Sequence, residues 1–195
     1  TMKRTGNRTS NIMLKVLAAL VPGLLAQSYY LGPGVLVNGI VLTLCCLATE
    51  ALIVVLRKPN NLRAELLRHL GDGTTLLIAW LIAVCLPPNV PVGVLAIAAL
   101  ASVGLAKHAY GGLGQNVFNP AMVGYAIILL SFPGILASYP SATPDGLSGA
   151  TLLSEFRYRP AMTVAEFMPS VAVAQHQATV TAALFLVGGL WLTWQ

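Results

Sequence analysis

Six apolar runs, a shortage of charge, and breaks of glycine, proline and basic residues predict an all-α, polytopic membrane protein. Of 195 residues, 56% are hydrophobic and only 9% charged, whereas a water-soluble domain carries about 25% charged residues. Too few charges remain to coat a water-facing surface, and the mean hydropathy of +0.77 agrees. The runs lie near 12–31, 35–56, 74–86, 90–106, 120–136 and 178–194; a full crossing takes about 20 apolar residues. Together they predict about six transmembrane helices in one membrane domain over residues 1–195.

Residues 1–11 are polar and basic, and Ile12–Leu31 follows without the short core and small-residue cleavage site of a secretory signal. It reads as a retained first helix, capped by Ser10 or Asn11 and ended by Gly32-Pro33-Gly34. The second run stops at Arg57-Lys58-Pro59. Leu62, Leu66, Leu67 and Leu70 then recur at helical spacing, which predicts a short helix on the membrane surface. The third run, Thr74–Leu86, is short for a crossing and reads as a tilted or a broken helix; Asp72 is placed to cap it. The fourth run ends at Lys107 and the fifth starts at Pro120. The longest non-apolar stretch, 138–177, precedes the last run, which closes on the interfacial aromatics Trp191 and Trp194.

Charge sets the orientation. Nine of the eleven Lys and Arg fall at residues 3, 4, 8, 15, 57, 58, 63, 68 and 107. Alternation through six runs puts all of them on one side, the cytoplasmic one by the positive-inside rule. The N-terminus is then cytoplasmic, and the 138–177 loop is on the periplasmic side of an inner membrane. No aromatic residues interleave with these cations as a base-stacking surface requires, which argues against nucleic acid and for lipid contact. Cys45, Cys46 and Cys85 sit in apolar runs without a CxxC pair and read as small buried hydrophobes.

Glu50 is the conspicuous ionisable group, seven residues before Arg57 and so about 10 Å inside a helix. Such a residue is a functional candidate by default; the two readings are ion coupling and a carboxylate paired to a basic residue near the inner surface. His69, His108 and His176 show no spacing for a metal, and none takes a catalytic role.

Two motifs remain. Residues 107–121, Lys-His-Ala-Tyr-Gly-Gly-Leu-Gly-Gln-Asn-Val-Phe-Asn-Pro-Ala, offer tight backbone and a helix start with Asn119 as cap and Pro120 in its first turn. By residue type this is a glycine hinge and a capped helix. Asn119-Pro120-Ala121 also matches the half-helix signature of water channels, which carry two copies; here it occurs once, and a channel or transporter without cofactor is the alternative function. Asp145-Gly146-Leu147-Ser148-Gly149-Ala150-Thr151 is by itself a Ser/Thr/Gly turn with an accessible hydroxyl.

Taken together and in this order, the motifs resemble the family shared by the D subunit of the Rnf complex and the B subunit of the sodium-pumping NADH:quinone reductase. The resemblance runs through Arg8–Leu14, Ala48–Leu56, Lys107–Tyr125, Ser131-Phe132-Pro133, Asp145–Thr151 and Gly188-Gly189-Leu190-Trp191, and is nearer to the Rnf branch. It implies FMN joined through a phosphoester to Thr151, with Asp145, Gly146, Ser148 and Ala150 as the sequence read by a flavin transferase that uses FAD and magnesium. It further implies a non-covalent riboflavin and a fold of the urea- and ammonium-transporter kind, built of inverted five-helix repeats. The implied function is electron relay in a complex, with the other Rnf subunits as partners, that couples NADH–ferredoxin electron exchange to sodium or proton movement. The chain has no βαβ fingerprint of its own, so no NADH site is expected in it. Family members continue past the equivalent of Gln195 with several more helices, so the resemblance reaches the first repeat.

Overall fold

A computed structural model of the chain describes residues 2–109, 118–136, 139–140, 148–149 and 163–195. The elements are α1 (Met2–Leu31), α2 (Gly34–Leu56), α3 (Leu62–Leu70), α4 (Thr74–Cys85) and α5 (Val92–Ala99), which runs on as a π-helical segment, Leu100–Ala109. After these come α6 (Pro120–Ser131), α7 (Pro133–Leu136), strands β1 (Tyr139–Pro140) and β2 (Ser148–Gly149), and α8 (Val164–Trp194). The two strands form an antiparallel ladder, Tyr139 opposite Gly149 and Pro140 opposite Ser148.

Four helices among the described residues are long and apolar enough to cross a membrane: Ser10–Leu31, Gly34–Leu56, Val92–Ala109 and Val171–Trp194. Four of the six expected helices reach crossing length; α4 and α6 are apolar but only 12 residues each, about 18 Å at the α-helical rise. Each is short for a reason in the sequence. Proline at 87 and 88 stops α4, and Phe132-Pro133 breaks the fifth run into α6 and α7. The last helix differs the other way: α8 starts at Val164, so the 138–177 loop is helical over its final part. At about 46 Å, α8 exceeds the ~30 Å apolar core, and its polar Gln175-His176-Gln177 stretch lies toward the excess end.

Backbone polar groups decide where a short helix can end inside a membrane, since a bare carbonyl there costs several kcal/mol. At the C-terminal end of α4 two side chains supply the missing donors. Gln27 of α1 donates through Nε2 to the Val84 carbonyl at 3.0 Å, and Asn38 of α2 donates through Nδ2 to the Pro87 carbonyl at 2.8 Å. α4 ends at Cys85 and helix resumes at Val92.

The core gathers Leu42, Cys46, Ile78, Ile82, Leu86, Leu95, Ala98, Val103 and Ile128 from α2, α4, α5, the π segment and α6. Without a strong hydrophobic drive in lipid, small residues set how closely such helices approach. Gly124 of α6 lets the helix close on its neighbours: a Cβ there would stand 2.9 Å from the Ala98 carbonyl oxygen and 3.0 Å from Ser102 Cβ. Gly188 does the same for α8, where an added Cβ would collide with the Ala19 backbone of α1, and Gly23 of α1 lies against the Phe185 ring. These two contacts run antiparallel.

Adjacent Gly188 and Gly189 make an internal control, because nothing lies within 4 Å of a Cβ built at Gly189. Gly188→Leu is expected to destabilise the α1–α8 pair by about 1–3 kcal/mol through overpacking, read as a lowered unfolding midpoint in detergent. Gly189→Leu is expected to leave that midpoint unchanged; equal effects would place the α1–α8 contact elsewhere.

Candidate functional site

Apolar packing at one end of the bundle gives way to charge. The C-terminal half of α2, the first turn of α4, α3 and the end of the π segment converge there. Glu50 is fully buried, and so is Lys107 at 2% exposure. The Lys107 ammonium has three donors, and all three are used: Glu50 Oε1 at 2.6 Å, Thr74 Oγ1 at 2.8 Å and Thr75 Oγ1 at 2.9 Å. Each threonine passes its own proton on. Thr75 donates to Glu50 Oε2 in a short contact, and Thr74 donates to Asp72 Oδ1 at 2.6 Å. Asp72 also accepts from the Thr74 backbone N–H at 2.8 Å, which is the predicted cap, and its other oxygen lies 3.8 Å from Lys107 Nζ.

Two histidines complete the cluster. His108 Nε2 stands 3.2 Å from Glu50 Oε1, and His69 Nδ1 approaches the same oxygen to 3.6 Å from α3. His69 Nε2 lies 3.5 Å from Glu65 Oε2 on its own helix. Burial holds the His69 imidazole below its ordinary value, with Lys107 and His108 acting the same way and Glu50 and Glu65 opposing. Arg57 closes the edge, reaching the His108 carbonyl at 3.4 Å.

Of the two readings of Glu50, pairing to a basic residue is present, and the partner is Lys107. His69 and His108, which show no metal spacing in the sequence, are both set against Glu50 by the fold. Sequence reasoning counted Lys107 with the surface cations and missed Thr74, Thr75, His69 and His108 as companions of Glu50. Their contacts with Glu50 and Lys107 join residues 19 to 58 apart in the chain, beyond any local pattern. One signal was available, since a carboxylate in an apolar run requires a cation or donors.

Asn119 caps α6 as expected, accepting from the Ala121 N–H at 3.0 Å. Residues 110–117 of the glycine motif, and Asp145, Gly146, Ala150 and Thr151, lie outside the described residues; of the heptapeptide, Ser148 and Gly149 are seen as backbone in β2. The three cysteines are free, Cys46 fully buried and the other two half-buried.

Over its full length, residues 1–195, the sequence matches the family described as NQR2, RnfD, RnfE. It is 37% identical over 215 residues to the D subunit of the ion-translocating oxidoreductase complex of Pseudomonas aeruginosa (strain LESB58), covering 98% of this chain and 61% of that one. The protein of the same name from Ectopseudomonas mendocina is 35% identical over 207 residues, 95% of this chain and 59% of that one. The one from Vibrio vulnificus (strain YJ016) is 43% identical over 136 residues, 70% and 37% of the two chains. The chain thus spans about three fifths of the length of the relatives it matches most fully.

Breaking one side of a buried pair leaves an uncompensated charge, at a cost of about 3–5 kcal/mol. Lys107→Met is expected to destabilise the protein by that order. Adding Glu50→Gln to it removes the orphaned charge and is expected to recover most of the loss. Denaturation of the three variants in one detergent checks this; a double variant as unstable as the single would show that the pair's charge is not what matters.

Proposed function

The chain belongs to the NQR2, RnfD, RnfE family, and from that premise we propose that it is a membrane-embedded electron-relay component of an ion-translocating oxidoreductase complex. The observation that carries the reading is the match along the whole chain to relatives named as the D subunit of such a complex, joined to the heptapeptide ending in Thr151. In this reading the complex exchanges electrons between NADH and ferredoxin and moves sodium or protons. Its other subunits are this chain's partners.

Thr151 carries FMN through its side-chain oxygen, after attachment by a flavin transferase that reads Asp145, Gly146, Ser148 and Ala150. The visible part of this segment suits a held attachment point: the β1–β2 ladder fixes Ser148 and Gly149 by backbone pairing two residues before the acceptor. A hydroxyl is the donor that a phosphoester requires. The flavin supplies the redox chemistry, and the protein places it and tunes it. The N-terminus is cytoplasmic and the Thr151 segment periplasmic, as the eight cations clustered at residues 3–15 and 57–68 argue. At the opposite end, Glu50 and Lys107 take part in ion coupling.

Thr151→Val is expected to abolish the fluorescent band of the full-length protein on a denaturing gel, with membrane insertion unchanged. A Val variant that still fluoresces would put the flavin elsewhere or remove it from the reading.

Coupling is tested in the charge-free pair Glu50→Gln/Lys107→Met, because either single change leaves a buried charge. Electron transfer and ion uptake are measured on the same reconstituted vesicles holding the whole complex. Uptake per electron is expected to fall severalfold while turnover persists; a proportional fall in both would eliminate the coupling role.

A further inference from the structure

We propose that Glu50, His69 and His108 form a binding site for a divalent transition metal of the zinc class. The site opens toward the side of the bundle covered by α3. One ligand atom from each residue lies within 4.8 Å of the other two. The two shorter separations are 3.2 Å, from Glu50 Oε1 to His108 Nε2, and 3.6 Å, from the same oxygen to His69 Nδ1. Four ligands at 2.0–2.1 Å around tetrahedral zinc stand about 3.3 Å apart. These two spacings bracket that edge, and with the third pair within 4.8 Å an ion would draw His69 inward. Two imidazoles and one carboxylate are a zinc donor set that leaves one position for water.

The surroundings add what a ligand triple alone lacks. His69 presents Nδ1 to Glu50 while Nε2 faces the Glu65 carboxylate at 3.5 Å. That carboxylate–histidine order is how metal-ligating imidazoles are oriented and made more basic. Glu50 Oε1 in turn accepts from Lys107 at 2.6 Å while both histidine nitrogens approach the same oxygen. The ammonium is the cation nearest to the site, and it has alternative acceptors in Thr74 and Thr75, with Asp72 3.8 Å away. Access comes through His69, whose side chain is 26% exposed, whereas His108 and Glu50 are buried behind it. A bound ion would tie α3, a surface helix with no buried residue of its own, to α2 and the π segment. The site needs neither flavin nor electron flow; it shares Glu50 with the coupling role proposed above but does not rest on it.

Cobalt(II) is the probe, added to the full-length chain in detergent and read at red wavelengths, where flavin does not absorb. Four-coordinate cobalt gives intense bands there; the six-coordinate aqueous ion does not. One cobalt per chain is expected, displaced by stoichiometric zinc. His69→Gln, a change at a partly exposed position, should weaken binding at least about tenfold, and His176→Gln on the exposed face of α8 should leave it unchanged. Zinc should also slow backbone hydrogen exchange across α3 in the unaltered chain and not in His69→Gln. Absence of the cobalt bands, or equal affinity in His69→Gln, would overturn the proposal, as would loss of binding in His176→Gln.

Discussion

Everything at the charged end of this bundle depends on one buried contact, Glu50 against Lys107. Two charges taken out of water lose several kcal/mol of solvation each, and attraction offsets this only when every remaining donor and acceptor is also filled. The protein fills them with threonine. Because a hydroxyl both accepts and donates, Thr74 and Thr75 accept from the ammonium and hand their protons to Asp72 and Glu50. The network closes without a stray polar atom. Its geometry dictates the helices: α4 must begin where its first two residues reach Lys107, and α2 must pass with Glu50 at that level. The π segment must end with Lys107 and His108 both turned inward. A long π-helical stretch is unusual and often marks a functional site; here it ends at the two side chains the pair requires.

The same logic explains why a 12-residue helix can sit in the bundle. A short helix exposes carbonyls that lipid cannot satisfy. At the start of α4 the donors and acceptors are the charged network, and at its end they are Gln27 and Asn38. Between these polar layers α4 buries Ile78, Ala79, Ile82 and Ala83. The four long helices need no such help, and their outward faces remain apolar, as at Leu44, Leu105 and Leu190.

Local signals were legible wherever chemistry acts over a few residues. The Gly32-Pro33-Gly34 break, the α3 span from its leucine spacing, the Asp72 and Asn119 caps and the stop at Pro87 all follow from rules within one turn of helix. Lys107 was misread because a lysine after an apolar run ordinarily snorkels to water. Its burial is decided by a carboxylate 57 residues away, which no local rule contains. The start of α8 was missed for a different reason: Glu166, Pro169, Gln175 and His176 lower the hydropathy without stopping a helix. Polarity there marks departure from the apolar zone and not loss of helical structure. Residues 150 and 151, on which the flavin reading turns, are flanked by a ladder two residues long, so their weight comes from sequence.

The two ends of the bundle are kept apart, and that separation bears on how such a protein can work. Asn38 and Glu50 stand twelve residues apart on α2, about 18 Å, one at each polar layer of α4. By its antiparallel contacts with α1, α8 begins beyond the Asn38 end, and β2 precedes it in the chain. α2 and α4 span both layers, so an influence of one layer on the other can pass through them. Such coupling requires an element with two arrangements that both sites bias. α4 has the attributes of that element: it is short, held at both ends by side-chain hydrogen bonds, and entered through Gly73, a glycine with positive φ. α4 is bonded at both ends, from Gln27 at Val84 and from Lys107 at Thr74 and Thr75, so a rigid shift of the helix acts on both.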